Sequence, residues 1–145
     1  MENKETSGMS LIVKSVTRLT AGLILIYGIY IVFRGHIGPG GGFAGGVIIA
    51  LSLVHLMLAF GKDAVLKKID ESRGIIISSI GALAFLILAT VGFLGVKISF
   101  LKDKFEHFSA GLIPLCDIAV GLLVASGLFI TFLALVLLTG KREKK

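Results

Sequence analysis

Gly74-Ile-Ile-Ile-Ser-Ser-Ile-Gly-Ala-Leu-Ala-Phe-Leu-Ile-Leu-Ala-Thr-Val-Gly-Phe-Leu-Gly-Val96 runs its whole length without a charged side chain. A helix needs about 20 such residues to cross a hydrocarbon core of about 30 Å. Three more predominantly apolar runs flank it, from about Val13 to Phe33, from Gly42 to Phe60 and from Leu112 to Thr139. None alternates apolar and polar residues as barrel strands do, and lipid offers no partner to an open backbone, so each run is expected to be helical. The expectation is an all-α polytopic membrane protein: one four-helix transmembrane domain over residues 1–145, with spans at about 13–33, 42–60, 74–96 and 112–139. As a helix the last run would measure about 42 Å at 1.5 Å per residue and must tilt or protrude. Pro114 in its first turn marks a start, since the missing N–H is harmless there.

Composition leads to the same solvent. Hydrophobic residues make up 55% of the 145, and mean hydropathy is +0.97. So small a core cannot hide that much apolar surface from water, and the bilayer becomes the expected partner. With ten Phe, two Tyr and no Trp, anchoring in depth falls to the Tyr, Lys and Arg residues.

The net charge of +6 does not indicate nucleic acid, because the basic residues lie in the gaps between apolar runs and not on one soluble face. Four spans place the N-terminus, the 61–73 loop and the C-terminus on one side, with eleven basic residues: Lys4, Lys14, Arg18, Lys62, Lys67, Lys68, Arg73, Lys141, Arg142, Lys144 and Lys145. The other side has Arg34, Lys97, Lys102 and Lys104. The excess predicts that both termini are cytoplasmic. Arg18, near the start of its span, is expected to snorkel to the headgroups. The polar, mildly acidic first ten residues read as no cleavable signal peptide.

Catalytic and cofactor chemistry find little footing. Cys116 is the single cysteine, which excludes an internal disulfide and a cluster ligated by this chain's cysteines. Three scattered histidines do not spell a metal site, and His36 with His107 on the outer loops is a weak metal signal. No cofactor, no metal and no catalysis by the chain alone are expected.

The unusual stretch is Gly35-His36-Ile37-Gly38-Pro39-Gly40-Gly41-Gly42-Phe43-Ala44-Gly45-Gly46, between the first and second spans. It lacks the Lys-Ser/Thr pair and the strand-turn-helix setting of a phosphate loop. Glycine permits a tight re-entry and Pro39 fixes the exit. Gly42, Gly46 and Ala50 then form a four-residue stripe that lets another backbone approach closely, and Gly74, Ser78 and Ala82 offer a second stripe. The sharper alternative for the turn is that free N–H groups at this helix start face an ion path.

Two ionisable groups lie inside spans. Asp117 is read on one face with Gly121, Val124, Leu128 and Thr131, directed at protein. A carboxylate at mid-membrane costs roughly 2.5 to 3.5 kcal/mol, so it either serves an ion path or pairs with an interfacial Lys or a backbone group. His55 lies about 180° round the second helix from Gly46. It is read either as a proton relay or as a hydrogen-bonded structural residue. If its face also meets protein, the second helix is packed on two sides.

The glycine stretch, as Gly35-His36-x-x-Pro39-Gly40-Gly41-Gly42-Phe43-x-Gly45-Gly46, resembles the MnhB-type subunits of the multisubunit Mrp (Mnh) cation/proton antiporters. Pro114-Leu115-Cys116-Asp117-Ile118-Ala119-Val120-Gly121 is the second matching region, although Ala119 and Gly121 stand where the family pattern has Gly and an aromatic. The resemblance implies a multi-pass, non-redox subunit in the cell membrane, with other integral membrane subunits as partners and Na⁺ and H⁺ as transported ions. It leaves Asp117 and His55 as ion-path candidates, and His36, Pro39, Gly40, Gly41, Gly42, Phe43, Gly45 and Gly46 as a packing motif. The same kind of subunit in a membrane-bound hydrogenase or sulfur-reducing complex, or a pure assembly subunit without an ion path, fits the same residues. A stand-alone carrier is disfavoured by the lack of an inverted repeat.

Overall fold

The computed structural model describes residues 10–61, 71–95 and 113–142. Four helices fill these ranges: α1 Leu11–Arg34, α2 Gly42–Phe60, α3 Glu71–Gly95 and α4 Ile113–Arg142. No strand occurs among the described residues. His107, Val96, Leu112 and the basic residues counted above at 4, 62, 67, 68, 97, 102, 104, 144 and 145 lie outside them.

All four helices are long and apolar enough to cross a membrane. Three outrun their apolar stretches because helical hydrogen bonding does not stop where polar residues begin. The start of α1 shows how: Ser10 caps it, its side chain accepting the Val13 N–H at 3.4 Å. That cap puts the first helical residue at Leu11, two positions before the expected Val13.

Contacts between helices define the arrangement. α2 packs along both α1 and α4, α3 packs on α4, and α1 touches α4 more lightly. α1 and α2 run antiparallel, with Gly28 beside Gly45 and Ala21 beside Ser52. α2 and α4 run parallel: their starts meet at Gly42 and Asp117, and further along Met57 packs with Phe129 and Leu133.

Burial on α2 fills a single broad arc. At about 100° per residue, Ala59, Ser52, Gly45, Gly42, Gly46, Met57 and Ala50 sweep roughly half the circumference, and all are buried. The Gly45 edge faces α1, where a Cβ would meet Val32 and the Gly28 carbonyl. The Gly46 edge faces α4, where a Cβ would meet the Gly121 carbonyl at 2.8 Å and Val124 at 2.9 Å. The buried Ser52 hydroxyl donates to the Ala21 carbonyl across the α1 seam at 2.8 Å.

Three expectations need correction. α2 is packed on two sides, but His55 is not on the second: it is exposed beside the arc, on the same flank as Ala44, Leu51 and Leu58. On α3, Gly74 and Ser78 of the expected stripe do meet α4, at Ile130 and beside Gly127, but the next close approach is made by Gly81 and Ala82 is exposed. A seven-residue step returns to within about 20° of the same line, whereas successive four-residue steps drift by about 40° each. On α4, Leu128 and Thr131 are exposed and the buried line runs through Gly121, Ala125, Phe129 and Leu133, because the contact with α2 winds round the helix at four-residue spacing.

Candidate functional site

The chain leaves α1 through a tight hydrogen-bonded turn. Ile37 and Gly38 N–H donate to the Arg34 carbonyl at 3.0 and 3.2 Å, and Gly41 N–H returns to Ile31 at 3.3 Å. Gly40 and Gly41 take φ of +153° and +111°, values that side-chain-bearing residues rarely adopt. Gly41 then caps α2 without a side chain of its own to accept the first free N–H groups, groups that every helix start must place somewhere.

Asp117 supplies the missing acceptor from the first turns of α4. Its Oδ1 accepts the Gly42 N–H at 3.0 Å, at the positive end of the α2 dipole. The turn is moulded round this carboxylate. A Cβ at Gly35 would run into Oδ2, one at Gly41 would lie 3.2 Å from Oδ1, and one at Gly42 would strike the Asp117 backbone. Gly42 is therefore required by the backbone of a residue of α4, 75 positions along the chain, while Gly35 is closed by the Gly41 Cα as well as by the carboxylate and Gly41 is held to glycine by its φ.

Of the two pairings that Asp117 could make, the structure contains the one with a backbone group. Arg34, the described cation nearest in sequence to the turn, is engaged elsewhere: its guanidinium donates to the Tyr30 hydroxyl and lies 5.6 Å from that ring's centre. Asp117 Oδ2 and His36 Nδ1 are the two buried side-chain polar atoms without a hydrogen-bond partner among the described residues. Both belong to this turn, since His36 follows the glycine that abuts Oδ2.

The remaining sequence candidates fall in different places. Gly45 and Gly46 seat the two flanking helices, as described above. Pro39 and Phe43 face outward, with Phe43 67% exposed. His55 is thirteen residues along α2 from Gly42, about 20 Å away at 1.5 Å per residue, so the fold does not bring it to Asp117. No group of three His, Cys, Asp or Glu suited to a metal ion occurs among the described residues. Gly28 was not singled out from the sequence, although its seven-residue spacing from Ala21 was a usable signal. Chemically, the site presents an anchored carboxylate with one oxygen committed and the other free, inside a shell of glycine backbone.

Comparison with known proteins matches this chain, over residues 12–130, to a family described as a domain related to the MnhB subunit of Na⁺/H⁺ antiporter. That range includes the glycine turn and Asp117. An uncharacterized protein of Methanocaldococcus jannaschii is 37% identical over 117 residues, covering 73% of this chain and 44% of its own length. A protein of Staphylococcus epidermidis named "putative antiporter subunit mnhB2" is 40% identical over 75 residues, 50% of this chain and 53% of its own. One of the same name from Staphylococcus aureus is 36% identical over 80 residues, 55% and 56% respectively. The chain spans about half the length of these relatives. With the match extending from α1 through most of α4, the chain belongs to the family of multi-pass membrane proteins related to the MnhB subunit of Na⁺/H⁺ antiporters.

Proposed function

We propose that the chain is a non-redox membrane component of a multisubunit Na⁺/H⁺ antiporter module, working beside other integral membrane subunits, with both termini in the cytoplasm. Within that module its first task is architectural: Asp117 locks the glycine turn against α4 and so fixes the α1–α2 pair. Its second is to present the free Asp117 oxygen to the sodium route. The observation that supports both is the split carboxylate, Oδ1 held by Gly42 N–H at 3.0 Å and Oδ2 buried without a partner. Carboxylate oxygen is the hard donor that a small cation prefers, and an ionisable group kept at membrane depth is by default a functional one. His55, exposed on its own, is proposed to act only where a neighbouring subunit covers it.

Asp117→Asn separates the two tasks. The amide keeps an acceptor for Gly42 N–H and removes the charge. The expected result in inverted vesicles is a normally assembled complex whose proton exchange needs several-fold more Na⁺. Loss of the complex with unchanged transport per assembled unit would leave the anchor alone, and normal assembly with full activity at every Na⁺ concentration would remove Asp117 from the sodium route. For the orientation, a cysteine at position 70 in a Cys116-free chain should resist an impermeant thiol reagent added to intact cells.

A further inference from the structure

The outer face of α1 carries an open groove of about 390 Å³ lined by Ser15, Arg18, Leu19, Gly22, Leu23 and Ile26. Its two ends differ in chemistry. One end holds the Arg18 guanidinium and the Ser15 hydroxyl, with Lys14 one turn back along the helix. The other is hydrocarbon, and Gly22 opens a notch where a Cβ would meet nothing within 4 Å. Ser15 to Ile26 spans about 16 Å along the helix axis.

The exposed Arg18 guanidinium lies over the Phe60 ring at the end of α2, 5.4 Å from its centre. No carboxylate is paired with it among the described residues. A guanidinium presents a planar fork of donors suited to a phosphate. It lies near the start of the first span, a depth from which a long basic side chain can reach the headgroup layer.

We infer that this groove is a binding site for an anionic phospholipid, with the phosphodiester on Arg18, Ser15 and Lys14 and one acyl chain lying in the Gly22 notch. A transmembrane helix of another subunit is the rival occupant, but it would have to bring an acidic group to Arg18. The lipid supplies the anion and the chain in one molecule, in the order in which the groove presents their partners.

The test uses the full-length chain in nanodiscs of phosphatidylcholine with a minor share of phosphatidylglycerol, and native mass spectrometry of the lipid retained on release. The wild type should retain phosphatidylglycerol preferentially. Arg18→Gln should lower that preference about fivefold, the effect of one basic residue at a charged surface. Gly22→Leu should lower it too, although every charge is intact, because the notch is filled. This variant is expected to fold, since the position is open and leucine is the better helix former; unchanged helical circular dichroism checks that. Equal retention of both lipids by the wild type would overturn the site. A preference lost in Arg18→Gln but kept in Gly22→Leu would show diffuse attraction to charge and overturn it as well. So would capture of a neighbouring subunit by a photoactivatable crosslinker carried on Gly22→Cys in an assembled complex lacking Cys116.

Discussion

The seam between α2 and α4 is built by opposite means at its two ends. Where the helices start, Gly42 and Gly46 meet Asp117 and Gly121 through backbone atoms, so closely that a Cβ at either glycine of α2 would fall within 3 Å of α4. Where α2 ends, Met57, Phe129 and Leu133, between 1% and 3% exposed, interlock as full side chains with Leu53, Val54 and Phe132 around them. Lipid tails are as apolar as leucine, so neither end gains from hiding oil from water; both rely on contact. The first should be intolerant of added atoms and the second of missing ones.

Gly46→Leu should produce the largest effect. Its side chain must displace the Gly121 carbonyl or Val124, at about 3 kcal/mol, and recovery of the assembled complex should fail. A mutant complex purified at normal yield would show that the glycine end is loose. Leu133→Ala comes next: it removes contact at the other end but little transfer energy, giving about 2 kcal/mol in reversible unfolding in detergent. If Leu133→Ala cost nothing, the second end would not depend on its side-chain contacts and the contrast between the ends would disappear. Gly41→Ala puts a Cβ on a residue at φ +111° and 3.2 Å from Asp117 Oδ1, for about 1 to 2 kcal/mol. Ser52→Ala removes the bond to Ala21 on the neighbouring α1 seam and should cost only about 0.6 kcal/mol, read as a small shift in thermal midpoint. The finest measurement is Asp117→Ala combined with Leu133→Ala. Sixteen positions apart on one helix, the two should add to within about 0.5 kcal/mol; a larger discrepancy would mean that the ends form one cooperative unit.

Much of this was legible from residues. Uninterrupted apolar length revealed the four helices, and α2 lies on the residues its hydropathy marked, because glycine bounds it on both sides. The Gly42, Gly46, Ala50 stripe is buried as its spacing suggested. The partner of the glycine turn was not legible. Gly35 and Gly41 look like turn residues, and nothing near them in the chain shows that an aspartate in the fourth helix lies against them. His55 misled because polarity within an apolar run marks a residue as special without saying which way it faces; an angular error of about 40° separates the buried edge at Ala59 from the exposed one at His55. On α3 the stripe failed only at Ala82, because four-residue and seven-residue registers share Gly74 and separate further along, where Gly81 takes the contact.

The bond from Gly42 to Asp117 also has an order in time. A ribosome delivers α1, the glycine turn and α2 to the membrane long before it reaches position 117, so the newborn hairpin enters lipid with the start of its second helix uncapped. Only insertion of α4 delivers the acceptor. The turn is thus completed only after α4 has been made, and a chain cut short before α4 lacks the acceptor that holds the Gly42 N–H.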